Sequence, residues 1–143
     1  MRFMLKAAGL GFGVAKPCGD SERYDYILDS GKRLWRVQVK STCGSRAHSY
    51  CIQACGSSNG RKASYTAQQI DMLVAYIVPE DAWYVLPVRA FAPRKNLKFY
   101  PSGSKSGGRY ELYREAWDLM KADREGRNLG HSRALGRLLP RSM

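Results

Sequence analysis

"RYDYILDSGKRLWRVQVKST", residues 23–42, decides how this chain folds. Its large apolar residues fall on alternate positions: Tyr24, Tyr26 and Leu28, then Trp35, Val37 and Val39 beyond the turn residues Asp29-Ser30-Gly31-Lys32. Period-two alternation marks a strand with one face on a core, and two such runs about a Gly-bearing turn read as a β-hairpin. These six residues form the core side. The opposite side gathers Asp25 and Ile27 from the first strand, and Leu34, Arg36, Gln38 and Lys40 from the second. Register decides whether the polar ones meet. A loop of two or four residues puts odd positions opposite even ones, so Asp25 shares a face with Gln38 and Lys40; a loop of three would separate them and expose the tryptophan and tyrosines. Core burial selects the first arrangement. With four residues in the loop, Asp25 faces Gln38 directly at about 5 Å between Cβ atoms, with Lys40 on the diagonal at roughly 7 Å.

An acid, an amide oxygen and a lysine so placed can hold a hard divalent cation against a phosphate. Asp25 supplies an anionic oxygen, the Gln38 side chain a neutral one and the Val39 main-chain carbonyl a third. Such a cation polarises a scissile phosphate and helps to ionise a water, while Lys40 orients that water or opposes charge in the transition state. The same pattern also describes a solvated sheet face on which Asp25 pairs with Arg36 or Lys40, an ion pair of little energetic weight.

The remaining sequence fits one soluble α/β domain. The chain has 143 residues, enough for a core of its own, and 24 Lys and Arg against 12 Asp and Glu give a net charge of +12. That excess favours a polyanionic partner, DNA or RNA, over the plainer reading of a ribosome-associated or merely soluble basic protein. The longest apolar runs, such as "MLVAYIV", are too short to span a bilayer, and the amino terminus lacks the zones of a signal peptide. A cytoplasmic protein with reduced cysteines follows. Cys18, Cys43, Cys51 and Cys55 lack the paired short spacings of structural zinc sites and read as buried free thiols.

Along the chain, "MRFMLKAAGL" puts Phe3, Ala7 and Leu10 on one helical face, and the helix begins at Met1 already in full periodicity, as a truncated one does. "FGVAK", "SYCIQAC", "LVAYIV", "AWYVLPV" and "NLKFYP" read as strands, "GSSNGRKAS" as a flexible basic loop and "PSGSKSGG" as a mobile one. Thr66 before "AQQIDML" predicts a capped helical segment, and "RYELYREAWDLMKA" an amphipathic helix with Leu112, Ala116 and Leu119 or Met120 inward. The expected division is a domain over residues 1–123 and a flexible basic tail over 124–143, which contains His131.

The stretch "FMLKAAGLGFGVAKPCGDSERYDYILDSGKRLWRVQVKST", followed by "YTAQQIDMLVAYIVPEDAWYVLPV" and "YELYREAW", resembles the PD-(D/E)xK nucleases over roughly residues 3–120. The likeness is to their group I intron-associated branch, which includes a cyanobacterial intron-encoded homing endonuclease and is akin in fold to Holliday junction resolvases. It implies a restriction-endonuclease-like core, a mixed sheet flanked by helices, and a hydrolase that cuts DNA with Mg2+ or Mn2+. Asp25 matches the family's metal-binding acid and Lys40 its lysine, while Gln38 stands where the wider superfamily has Asp or Glu. The family usually carries a glutamate on its first helix, and the first helix here contains no acid. Glu22 is the candidate accessory acid. The alternative is a nuclease fold that binds DNA and has weak or lost cleavage.

Duplex DNA is the expected partner, held by Arg36, Arg61, Lys62, Arg94, Lys95, Lys98, Lys105 and Arg109. Cutting two antiparallel strands with one small site favours a homodimer or homotetramer, associated with the nucleoid when bound.

Overall fold

The computed structural model describes residues 1–104 and 107–121; Lys105, His131 and the basic tail over 124–143 lie outside the described residues. The hairpin forms as β2 (Tyr26–Asp29) and β3 (Leu34–Thr42), paired antiparallel from Tyr26↔Val37 to Asp29↔Leu34. Four residues, Ser30 to Arg33, make the connection, with the Ser30 N–H donating to the Arg33 carbonyl at 3.0 Å. Gly31 takes φ +83°, a left-handed conformation that costs glycine nothing. The turn thus lies one residue beyond the expected Asp29–Lys32, because Asp29 stays in the ladder opposite Leu34. One step further along the register, Asp25 faces Gln38, and the Asp25 N–H donates to the Val37 carbonyl at 2.9 Å.

This hairpin is built into a five-stranded mixed sheet. β1 (Gly13–Ala15) pairs outside β2, β8 (Met72–Ile77) runs parallel beside β3, and β9 (Ala82–Pro87) closes the other edge antiparallel. Both β8 and β9 are buried along their whole length, which explains why they read as continuous apolar runs rather than alternating ones. On one face lies α1 (Arg2–Gly9), whose Phe3 and Ala7 pack with Leu28, Val37, Val74 and Trp83. The other face carries a second layer, a small sheet ordered β10 (Asn96–Phe99), β5 (Ser49–Gln53) and β4 (Ser45–Arg46). Ile52, Leu97 and Phe99 of that layer bury Leu73, Ala75 and Leu86 of the main sheet. Sealing a side chain such as Leu73 or Phe99 from water contributes about 2 kcal/mol.

The α/β mixed sheet is as expected, with fewer helices. "AQQIDML" forms a single turn, in which the Gln69 and Ile70 N–H groups reach the Thr66 carbonyl at 3.0 and 3.1 Å. It goes no further because the Asp71 N–H donates to the Arg36 carbonyl at 2.9 Å and draws the chain into the sheet. The segment "RYELYREAWDLMKA" gives two 3-10 turns, Glu111–Tyr113 and Trp117–Met120. Edge strand β9 captures the backbone between them: Arg114 bridges Tyr84, and the Glu115 N–H donates to the Trp83 carbonyl at 2.8 Å. Leu112 is therefore exposed, and Trp117 and Met120 supply the buried contacts. "GSSNGRKAS" is ordered as a two-stranded ribbon, β6 (Cys55–Ser58) and β7 (Arg61–Ser64). Only Cys55 is a buried thiol; Cys18 and Cys43 lie on connections, and Cys51 points outward between Tyr50 and Ile52.

Asp71 staples β3 to the start of β8. Its carboxylate accepts from the Arg36 N–H at 2.9 Å, from Arg36 Nε and Nη2 at 3.1 and 3.0 Å, and from Arg33 Nη2 at 3.1 Å. Burial pushes this carboxyl up, but the hydrogen bonds from Arg36 and the charges of Arg36 and Arg33 outweigh it and leave it below its ordinary value. A depressed carboxyl contributes stability above its unfolded pKa that is lost as pH falls through the folded one. Asp71→Asn is expected to cost about 2 kcal/mol at neutral pH, the lost charge-assisted bonds being discounted for half-exposed arginines. Urea titrations should show the gap between wild type and variant closing below about pH 4. A gap indifferent to pH would mean that the carboxylate charge contributes nothing.

Candidate active site

Gln38 sits near the middle of β3, the central strand, and is the only buried amide or charged side chain among the described residues. It and Lys40 pair in parallel register with Leu73 and Ala75 of β8, on the face covered by the second layer. That face is thus not open, as the hairpin alone suggests. The polar residues occupy its margin, where Gln38 is buried and Asp25 and Lys40 are half-exposed. Tyr24 turns to this same side and packs with the second layer, because regular alternation begins only at Tyr26. On the other face Val37 is fully buried, whereas Tyr26, Trp35 and Val39 are partly so.

The structure brings Asp25, Gln38 and Val39 together. Gln38 Nε2 donates to Asp25 Oδ2 at 2.7 Å, and the Val39 N–H donates to the same oxygen at 3.0 Å. The amide nitrogen also lies 3.3 Å from the Val39 carbonyl. One point, filled by a positively polarised N–H group, is therefore approached by a carboxylate oxygen and a main-chain carbonyl. These are the oxygen types that a hard divalent cation takes, and Gln38 offers its own Oε1 once its amide turns over. The donor set fits such an ion, with one anionic member. Among the described residues no group of three His, Cys, Asp or Glu side chains gathers for a metal. Lys40, two residues along the same face, makes no hydrogen bond or ion pair among the described residues. Glu22 is exposed on the connection between β1 and β2.

Two neighbours of the site escaped sequence reasoning. Tyr65, directly after β7, is buried and donates to the Cys55 carbonyl at 3.3 Å; burial, then the Asp25 charge, push its phenol up to about 12. It stays protonated at neutral pH and cannot serve as a base there. Arg23, two residues before Asp25, donates from Nη1 to the Ser57 carbonyl at 2.6 Å. Neither carries a sequence signal beyond lying beside a strand end.

The basic residues separate into three groups. Arg36 is committed within the fold: besides Asp71 it donates to the Ala67 carbonyl at 2.8 Å and to the Gln68 carbonyl. Arg94, Lys98 and Arg109 line one cleft with Asn96 and Tyr100, and Lys98 borders a second with Arg46 and Cys51. Arg61, Lys62 and Lys95 are exposed at the ribbon, where Lys95 Nζ donates to the Lys62 carbonyl at 3.0 Å.

The sequence profile of the PD-(D/E)XK endonuclease family matches residues 1–120 of the chain. Among solved structures the chain is similar to a bacterial homing endonuclease, I-Ssp6803I, at 28% identity, with 83% of each chain covered and a TM-score of 0.68. No curated protein matches it.

Proposed function

The chain belongs to the PD-(D/E)XK endonuclease family, and on that footing we propose that it is a metal-dependent DNA endonuclease of the homing or resolvase kind. The observation that carries this reading is the convergence of Asp25 Oδ2 and the Val39 carbonyl on the Gln38 amide, at 2.7 and 3.3 Å. Asp25, Gln38 and Val39 would hold Mg2+, or Mn2+ in its place. Such an ion supplies Lewis-acid charge to a phosphate and lowers the pKa of water. Asp25 brings the anionic oxygen, kept in place by the Val39 N–H. Lys40 sets its ammonium against charge that builds on the phosphate oxygens. Arg94, Lys98 and Arg109 grip the backbone, joined by Arg61, Lys62 and Lys95 at the ribbon. Paired cuts in duplex DNA favour a homodimer or homotetramer. No helix among the described residues is long and apolar enough to cross a membrane, and a DNA substrate would place the protein in the cytoplasm, on the nucleoid when bound.

A second reading, binding without cleavage, is favoured by the single carboxylate at the site. Nicking of supercoiled plasmid separates the two: cutting with Mg2+ or Mn2+ that EDTA stops supports the endonuclease, and a plasmid left intact under every ion supports the binder.

Both readings require salt-sensitive binding. With about six phosphate contacts, affinity for a duplex should fall roughly a thousandfold between 50 and 200 mM salt, through counterion release. Fluorescence anisotropy measures it, and Asp25→Ala should leave the slope unchanged. Binding indifferent to salt would remove the basic residues from their proposed role.

A further inference from the structure

Among the described residues the ribbon β6–β7 differs from every other strand pair. It joins neither larger sheet and stands as a two-stranded unit of its own. Its tip is the two-residue turn Asn59-Gly60, at φ +49° and +74°, between the paired residues Ser58 and Arg61. Two successive positive φ values define a type I′ turn, whose twist matches that of the strands and so fixes the tip. Ser57, Asn59, Arg61 and Lys62 are all exposed. Between Asp29 and Asp71 the sequence contains no acidic residue.

The ribbon is held in three places, one at its base and two at the Ser57↔Lys62 pair next to its tip. Arg23 donates to the Ser57 carbonyl at 2.6 Å, Lys95 to the Lys62 carbonyl at 3.0 Å and Tyr65 to the Cys55 carbonyl at 3.3 Å. The first of these passes over Gly56, where an added Cβ would lie 2.6 Å from Arg23 Nη1, so the arginine uses space that only glycine leaves. Arg23 is two residues from Asp25, and Tyr65 is near enough to Asp25 to feel its charge. The ribbon is thus positioned by the same segment that carries the acid of the site.

We infer that this ribbon enters the major groove beside the scissile phosphate and reads base sequence there, with Arg61 as its principal reader. This rests on the endonuclease reading above. A two-stranded antiparallel ribbon fits the major groove, and the end presented here is the turn Ser58–Arg61, beyond the pair Ser57↔Lys62 that Arg23 and Lys95 hold. Arg61 and Asn59 bring the donor and acceptor forks that match guanine and adenine edges, and Lys62 and Ser57 reach the flanking phosphates.

The test is selection from randomised duplexes by the full chain, with guanine N7 methylation interference on the enriched sequence. Wild type should enrich one sequence and lose binding when a guanine in it is methylated. The variant Ser57→Ala/Arg61→Ala/Lys62→Ala should enrich none. Arg61→Gln should enrich a sequence changed at one position from guanine to adenine, with a preference shift of about tenfold or more. Melting curves of the three proteins confirm that each is folded. A triple variant that enriches the wild-type sequence overturns the inference and leaves the endonuclease reading standing. So does a wild type that binds every duplex alike. A wild type that binds no duplex at low salt removes both.

Discussion

Asp25→Ala should lower plasmid nicking by at least about a hundredfold, the largest loss expected of any single substitution in this chain. The acid is the one anionic oxygen at the point where Gln38 and Val39 converge, so its removal leaves a divalent ion with neutral ligands only. Alanine also strands two donors, the Gln38 amide and the Val39 N–H, one of them on a buried side chain, at a cost of about 1–3 kcal/mol in stability. A loss of cutting by that variant alone would therefore confound folding with chemistry. Asp25→Asn separates them, because its side-chain oxygen still accepts from the Val39 N–H while the charge is gone. Cutting should fail in Asp25→Asn with a melting temperature close to that of wild type. Lys40→Ala should cost about 3 kcal/mol in barrier, roughly a hundredfold, by loss of positive charge set against the transition state. Undiminished cutting by Asp25→Asn would place the chemistry elsewhere in the molecule.

How much of this was legible in the sequence depends on which interactions shaped each segment. The register of the hairpin could be read because burial of Leu28 and Val37 admits one pairing, and that pairing carries Asp25 to Gln38. Strands β8 and β9 were legible as apolar runs. What could not be read is the second layer. Nothing in β3 itself says that Leu73 and Ala75 beside it will be covered by Ile52 and Leu97, so the polar face looked open when it is a margin. The failed helix near Glu111 has a similar origin. Its periodicity is real, but an edge strand with unpaired backbone groups competes for the same carbonyls and amides and wins at Arg114 and Glu115. The staple made by Arg36 was hidden for a further reason: its partner Asp71 lies 35 residues away in the sequence.

Gln38→Glu tests the site without reference to cutting. In the wild type the amide nitrogen donates to Asp25 at 2.7 Å from a buried position, a neutral partner for the acid. Glutamate replaces that donor with an oxygen and brings two carboxylates to the same separation. Like charges so close cannot both ionise cheaply, and one of the pair takes up a proton, its folded pKa rising above the unfolded carboxylate value of about 4. A group raised in this way contributes its full stability below the unfolded pKa and loses it as pH climbs through the folded one. The variant should therefore match wild type near pH 4 and be less stable by about 2–3 kcal/mol at pH 7. A divalent cation reverses the sign of the argument, because the second carboxylate becomes a second anionic ligand. Millimolar Mg2+ or Ca2+ should then raise the melting temperature of the variant well beyond the rise seen in wild type, by mass action on the folded state alone. The double variant Asp25→Asn/Gln38→Glu restores one acid and one amide in exchanged places, so it should recover most of the stability lost by Gln38→Glu at pH 7, as coupled neighbours do. Independent, additive effects of the two substitutions, with no response to the cation, would show that Asp25 and Gln38 do not share a ligand position.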